Sequence, residues 1–290
     1  MRFSRATKSR VASGPVEQVW IPFKRQTPNL AKYVRKIYDR RAFMHEFSLS
    51  QRRLEHMDTF FGQLWTIMSP LFMAVVYYAL IFIINGGHQG SAFFVHLISG
   101  VFFFSFISTT ARRSATSITG AGRLIMNAAF PRAILPLTET WTAFLQVLPA
   151  FVVLLVLQFS ILHNFGWQLL LAIPALFSAF IFATGLGMVL ATANVYFRDT
   201  VAILPYITRL WMYASPVLYL PETVFKMTSH DWLLSLNPIF DTLRIWSGSI
   251  VQLQTFGWQT WAISFAWGIG MFIFGSLLFL SREGEFAVRI

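Results

Sequence analysis

A chain of 290 residues that is 56% apolar and 17% aromatic, with a mean hydropathy of +0.58, exceeds the apolar share of ordinary globular domains. Its 23 Lys and Arg against 12 Asp and Glu give a net charge of +11, and the lack of cysteine excludes a disulfide framework, a thiolate nucleophile and a Cys-ligated metal. The length is expected to hold six membrane spans and one polar arm, and excludes an additional catalytic domain.

In chain order, residues 1–40 read as a basic arm on the cytoplasmic side, and Met1 to Phe61 is too long, polar and basic for a cleaved leader. Residues 1–58 hold 13 Lys and Arg against 5 Asp and Glu, so positive charge is concentrated beside the first span. That placement suits topology signals and contacts with anionic membrane lipids, and argues against nucleic acid as a partner. Residues 41–63 form an amphipathic helix by pattern. Phe43, Phe47, Leu54, Met57, Phe61 and Leu64 recur at steps of three, four or seven, with Arg52, Arg53, Glu55, His56 and Asp58 largely off the stripe. Such a helix lies in the membrane interface or packs on a neighbouring domain.

Three runs then carry no Lys, Arg, Asp or Glu: Thr59 to Ala111 (53 residues), Thr140 to Phe197 (58) and Ile245 to Ser281 (37). Soluble helices must show a charged face to water, whereas a span of the ~30 Å hydrocarbon layer takes about 20 apolar residues. Residues 64–290 are therefore predicted to form an all-α domain of six transmembrane helices at about 64–84, 92–111, 139–161, 167–191, 201–220 and 258–280. The fifth is interrupted by Pro205 and Pro216. The arm, the tail and the two connectors that face the cytoplasm under this scheme together carry 20 of the 23 Lys and Arg, which puts both termini inside. The 221–257 loop is too long to be structureless. A short helix around Glu222 to Leu236 is followed by a helix start at Asn237-Pro238. Ile239, Leu243, Trp246 and Ile250 form its stripe, and Asp241 and Arg244 are expected towards water. The loop thus dips back as two short re-entrant outer helices.

Converging acids, bases or metal ligands, which an enzyme site needs, are not visible. The spans contain only Glu139, Arg209 and His96 as ionisable groups, the six histidines are dispersed, and no Gly-x4-Gly-Lys-Ser/Thr phosphate loop occurs. Glu139 reads as an interfacial carboxylate. Arg209 must face a protein or aqueous interior; there it either meets an anionic substrate group or pairs with Glu139 or Asp199. Tyr77, Tyr78, Phe102, Phe103, Phe104, Phe106, Trp211 and Tyr213 are lipid-facing filler or, at one depth on several helices, a conduit lining that stacks on sugar rings. Ala179, Ala183, Gly187 and Ala191 let another helix approach closely.

Gly62-Gln63-Leu64-Trp65 with Pro70-Leu71, Phe130-Pro131-Arg132-Ala133-Ile134-Leu135-Pro136-Leu137 and Asn194-Val195-Tyr196-Phe197-Arg198-Asp199 occur in that order. Ser215-Pro216 with Tyr219, Leu236-Asn237-Pro238, and Glu283 with Phe286-Ala287 follow. Over residues 43–290 this order and spacing resembles the membrane subunit of type-2 ABC exporters that move polyprenyl-diphosphate-linked polysaccharides such as O-antigens, teichoic acids and galactan. One departure is that Glu55 and Asp58 stand where family members carry basic residues.

The resemblance implies a multi-pass protein of the inner membrane that is no enzyme itself. It implies a homodimer with two separate ATPase subunits, which bind the ATP and Mg, and no cofactor on this chain. Arg112, Arg113, Arg123, Phe130, Pro131 and Arg132, with Arg198 and Asp199, would couple to the ATPase. Arg209 and the aromatics Tyr77, Tyr78, Phe102, Phe103, Phe106, Trp211 and Tyr213 would guide the glycan. Asn237, Pro238, Leu243 and Trp246 would gate the outer exit. The residues from Arg282 to Ile290 look closest to galactan exporters. The two readings from other classes are a membrane-embedded glycosyl- or lipid-phosphate transferase, which needs a catalytic cluster, and an ion-coupled carrier, which needs several intramembrane carboxylates.

Overall fold

The computed structural model describes residues 30–55, 60–88, 90–122, 125, 130–222 and 234–289, and every regular element among them is helical. Five helices are long and apolar enough to cross a membrane: Gly62–Ile84, Ser91–Gly120, Ile134–Leu162, Trp167–Tyr196 and Trp258–Arg289. Their α-helical parts are α3 (Trp65–Ile84), α4 (Ser91–Gly120), α5 (Ile134–Leu157), α6 (Ala172–Tyr196) and α9 (Trp258–Arg282).

The segment expected to span from 201 to 220 is a shorter helix, α7 (Thr200–Ala214). Its 15 residues rise about 22 Å, less than the ~30 Å hydrocarbon layer. The cause is local. Pro216 disfavours the helical conformation at the residue before it, and Ser215 is extended at φ −102°, ψ 153°. The Ser215 hydroxyl donates back to the Trp211 carbonyl at 2.7 Å, which satisfies one of the last orphan acceptors. In the other direction, α4 outruns its expected end at 111 by nine residues. Arg112 and Arg113 are therefore helical positions, since arginine is a good helix former, rather than part of a loop.

Helix α4 is the centre of the bundle, lined on one side by α3 and α7 and on the other by α5 and α6. Helix α6 in turn packs on α9, and here backbones nearly touch. A Cβ on Gly275 would lie 2.2 Å from the Gly185 carbonyl oxygen, and one on Gly185 would lie 2.3 Å from the Met271 carbonyl oxygen. Beside them the hydroxyls of Ser178 and Ser264 meet at 2.9 Å, and Thr242 reaches Ser264 at 2.7 Å. Helix α3 is the least covered span, with Phe72, Val76, Leu80 and Ile83 exposed.

Ahead of the spans, α1 (Leu30–Asp39) lies in the segment read as a basic arm, and α2 (Arg41–Glu55) covers the first part of the helix expected over 41–63; residues 56–59 lie outside the described set. Phe43 and Phe47 stack at 5.6 Å, and α2 rests on α5, where the Trp141 indole donates to His45 Nδ1 at 3.3 Å.

The arginine-rich end of the bundle is closed by residues far apart in the chain. The Arg132 N–H donates to Glu283 Oε1 at 2.7 Å, and the Arg132 guanidinium donates to the Glu283 carbonyl. The buried Tyr33 of α1 accepts from the Ala133 N–H at 3.3 Å and donates to Glu283. Burial, reinforced by the Glu283 carboxylate, pushes the Tyr33 hydroxyl far above its ordinary range, so it remains a donor. Phe279 and Phe286 pack edge-on at 5.1 Å beneath this junction, and the Tyr196 hydroxyl donates to Glu285 at 2.5 Å.

Candidate functional site

A groove of about 600 Å³ runs between α3, α4 and α7. Each helix contributes one stripe. Helix α3 supplies Trp65, Thr66, Ser69, Pro70, Met73 and Tyr77, all at helical spacing along one side. Helix α4 supplies Val101, Phe104, Ser105, Ser108, Thr109, Arg112 and Arg113, and α7 supplies Leu204, Pro205, Thr208, Arg209 and Met212. Gln146 of α5 closes the back.

The groove changes character along its length. Towards the α7 C-terminus the walls are aromatic: Tyr77 meets Tyr213 edge-on at 6.5 Å, and Phe104 meets Trp211 edge-on at 6.0 Å. Towards the arginine-rich end they are hydroxyl-bearing and cationic, with Thr66, Ser69, Ser105, Ser108, Thr109 and Thr208 around Arg112, Arg113 and Arg209. Arg209 stands at the border and acts electrostatically on the Tyr77 hydroxyl.

The three arginines differ in their partners. Arg113 forms a buried ion pair with Glu139 at 2.8 Å, the side chains only 13% and 11% exposed. Glu139 meets Arg113, and among the described residues the sequence alternative that pairs it with Arg209 is not what the structure shows. No carboxylate among the described residues pairs with Arg112 or Arg209, and both are exposed along the groove. An unpaired cation at mid-span costs about 2.5–3.5 kcal/mol on insertion scales, so a groove that admits water or an anion is the favourable place for it.

Of the other aromatics considered for the path, Phe102 and Phe106 line a small pocket that shares Thr66, Pro70, Ser105, Thr109 and Gln146 with the groove. Phe102, Phe103 and Phe106 are buried: Phe103 packs on Trp246 at 5.8 Å and Phe106 on Phe144 at 6.3 Å. Tyr78 packs among Phe82, Phe93 and Phe94. Trp211 touches the back of the wall through Phe104 and Phe182. Phe104, one of the candidate aromatics, lines the groove with Ser105 and Ser108, and only a position one helical turn from Val101 and Arg112 could have marked the two serines.

Of the residues assigned to coupling, Arg123 lies outside the described set. Pro131 is buried, Phe130 is half-buried, and Arg132 holds Glu283, while Arg198 and Asp199 are exposed between α6 and α7. At the opposite end, α8 (Phe240–Ser247) starts three residues after Asn237. Asn237 and Pro238 form the turn before it, and the Asn237 Oδ1 accepts from the Ile239 N–H at 3.3 Å and from the Trp211 indole at 2.9 Å. The expected stripe is fully inward, with Ile239, Leu243, Trp246 and Ile250 at most 1% exposed, and the Trp246 indole donates to the Ser99 carbonyl at 3.0 Å. Asp241 was expected in water but is buried, because α8 is covered by α4 and α6 on one side and α9 on the other. Arg244 is half-buried above the Phe256 ring at 5.6 Å. The preceding short helix expected around Glu222 to Leu236 falls largely on residues outside the described set.

A family profile described as ABC-2 type transporter matches residues 47–251. The O-antigen export system permease protein RfbA of Klebsiella pneumoniae is 25% identical over 238 residues, 81% of this chain and 90% of that protein. The protein of the same name from Myxococcus xanthus is 26% identical over 266 residues, 90% of this chain and all of that protein.

Proposed function

We propose a function that starts from one fact: the chain belongs to the ABC-2 type transporter family, whose members are transporter membrane subunits and not themselves enzymes. In this reading the chain is the membrane-spanning subunit of an ATP-driven exporter of the inner membrane. It moves a polyprenyl-diphosphate-linked polysaccharide, of the galactan type by its tail, from the cytoplasmic to the outer face. The similarity to O-antigen export permeases along 81–90% of the chain is the observation that carries it.

The architecture fits the task. The arginine-rich end is the cytoplasmic one, and α7 acts as the short sixth crossing. Two copies pair and each takes one ATPase subunit, which binds ATP and Mg. The segment ending at Phe130-Pro131-Arg132, with Arg198 and Asp199 next to it, meets the ATPase. Because Arg132 is tied to Glu283 and its neighbour Ala133 to Tyr33, a push on this segment moves the α9 end and α1 as one block. The hydroxyl and aromatic walls of the groove present hydrogen bonds and π faces to sugars. Helix α8, pinned by Trp246 and Asn237, closes the outer end. Nucleotide binding shifts this equilibrium only by its differential affinity for the open and closed states.

Depletion of the protein tests the reading. Lipid-linked glycan should accumulate inaccessible to an externally added glycosidase, and surface glycan should fall. Unchanged surface glycan with no accumulation would dismiss the reading.

A further inference from the structure

We propose that the outward face of α1 docks on anionic lipid headgroups of the membrane leaflet at the arginine-rich end, and that this seating steadies the segment from Phe130 to Ala133 through Tyr33. Helix α1 lies ahead of the residues that the family profile matches, which begin at 47. The docking therefore goes beyond the exporter reading, and needs only that the arginine-rich end abut a membrane face.

Depth is the first observation. Tyr33 accepts from the N–H of Ala133, the residue before α5, and donates to Glu283, the residue after α9. Helix α9 has 25 residues and rises about 37 Å. Centred in the ~30 Å hydrocarbon layer, it puts Glu283 about 4 Å past the edge, inside the ~40–45 Å that includes both headgroup layers. Tyr33 is bonded at that level, so α1 is held among headgroups.

The second observation is the division of α1 into faces. Tyr33 and Ile37, four residues apart, turn inward and pack in one small core with Ile125 and Phe130. Val34 and Tyr38, one position on, are both exposed although apolar or aromatic. Lys32, Arg35 and Lys36 are exposed on the remaining side, and none of the ion pairs among the described residues involves them. Asp39 is the one acid of the helix, and Arg40 and Arg41 follow it at once.

The join to α2 continues the same surface. The Arg41 guanidinium lies over the Tyr38 ring at 4.3 Å and donates to the Tyr38 carbonyl at 3.2 Å, and the next aromatic, Phe43, is exposed as well. A leaflet with anionic lipids supplies what each part lacks. Phosphates meet the cations, whose long stems reach along the interface. The boundary with the acyl chains takes Val34, Tyr38 and Phe43, and tyrosine is enriched at that depth. An acidic protein surface would match the charge but leave the exposed apolar flank unexplained.

The chain contains no cysteine, so V34C carries a single environment-sensitive fluorophore on the full protein. The label is read in nanodiscs of phosphatidylcholine alone and with about one-third phosphatidylglycerol, each with lipids spin-labelled near the headgroup. Phosphatidylglycerol should shift the emission to the blue and bring quenching by the spin label. Each Lys or Arg near an anionic surface contributes about fivefold, so K32Q, R35Q and K36Q together should weaken seating about a hundredfold and return the label to water. On the protein without the label, the N–H groups of Arg132 and Ala133 should exchange hydrogen about tenfold more slowly with phosphatidylglycerol than without it, and the triple variant should lose that protection. A label that stays in water in both bilayers overturns the docking and leaves the face to a protein partner. Equal burial in both bilayers, or in the triple variant, overturns the role of the charges. Seating with unchanged exchange at Arg132 and Ala133 overturns the link through Tyr33.

Discussion

Asn237→Ala should cost about 2–4 kcal/mol of stability, concentrated where α7 meets α8. The side chain accepts from the Trp211 indole at 2.9 Å and from the Ile239 N–H at 3.3 Å, and donates to the Ala214 carbonyl at 3.2 Å and the Ser215 hydroxyl at 3.0 Å. At about 0.6 kcal/mol for each of these four bonds, the mean found inside a membrane protein, the loss is about 2.4 kcal/mol. At about 1 kcal/mol each, as in soluble proteins, it is about 4 kcal/mol. Two partners are cushioned: the Ser215 hydroxyl keeps its bond to the Trp211 carbonyl, and the Ala214 carbonyl still accepts from the Tyr219 hydroxyl. The Trp211 indole and the Ile239 N–H are left orphaned and carry most of the effect. Reversible unfolding in bicelles, measured by steric trapping, gives the number, and a cycle with Trp211→Phe isolates the indole bond at about 0.6–1 kcal/mol. A cost below about 0.5 kcal/mol, the scatter of neutral surface changes, would refute the idea that Asn237 joins the two helices.

Three further outcomes follow from the packing. Gly275→Val should destabilise by more than about 3 kcal/mol in thermal unfolding, because its Cβ would meet the Gly185 backbone rather than a yielding side chain; a near-neutral result would mean that α6 and α9 do not approach this closely. Arg113→Leu should destabilise the bundle by removing the cation at 2.8 Å from the part-buried Glu139, by up to about 3–5 kcal/mol, while Arg113→Leu with Glu139→Leu should recover much of it; equal damage in both would show that the charge is not the cause. Leu243→Asp places a charge at a fully buried position and should unseat α8, so that membranes containing the mutant admit a small hydrophilic dye; a folded, assembled mutant that leaks no more than the parent would show that α8 is not the outer seal.

The apolar spans were legible because lipid tolerates little else, and α3, α4, α5, α6 and α9 fall where charge-free runs lie. Their ends were less so. Arg112 and Arg113 look like a loop by polarity, yet they extend α4 because one side lines a groove and the other meets Glu139. The proline signal at Pro216 marked the end of α7, but apolar Val217 to Leu220 carried the expected span past it. Within the groove, Arg209 was readable as a cation too costly to face lipid. The aromatics were not: Phe102, Phe103, Phe104 and Phe106 cover more than a full helical turn, so composition cannot say that Phe104 lines the groove, that Phe102 and Phe106 line a small pocket beside it, and that Phe103 packs on Trp246. Tyr33 gave no signal, since its partners lie 100 residues away and beyond.

The junction of Tyr33, Arg132 and Glu283 also sets an order of assembly. Glu283 follows Arg132 by 151 residues, which a ribosome needs about 8–30 s to add. Throughout that interval the Arg132 N–H and the Tyr33 hydroxyl lack the carboxylate that both meet in the finished protein. Only when the segment from Glu283 to Phe286 swings in can this junction close, which makes it a late step of assembly.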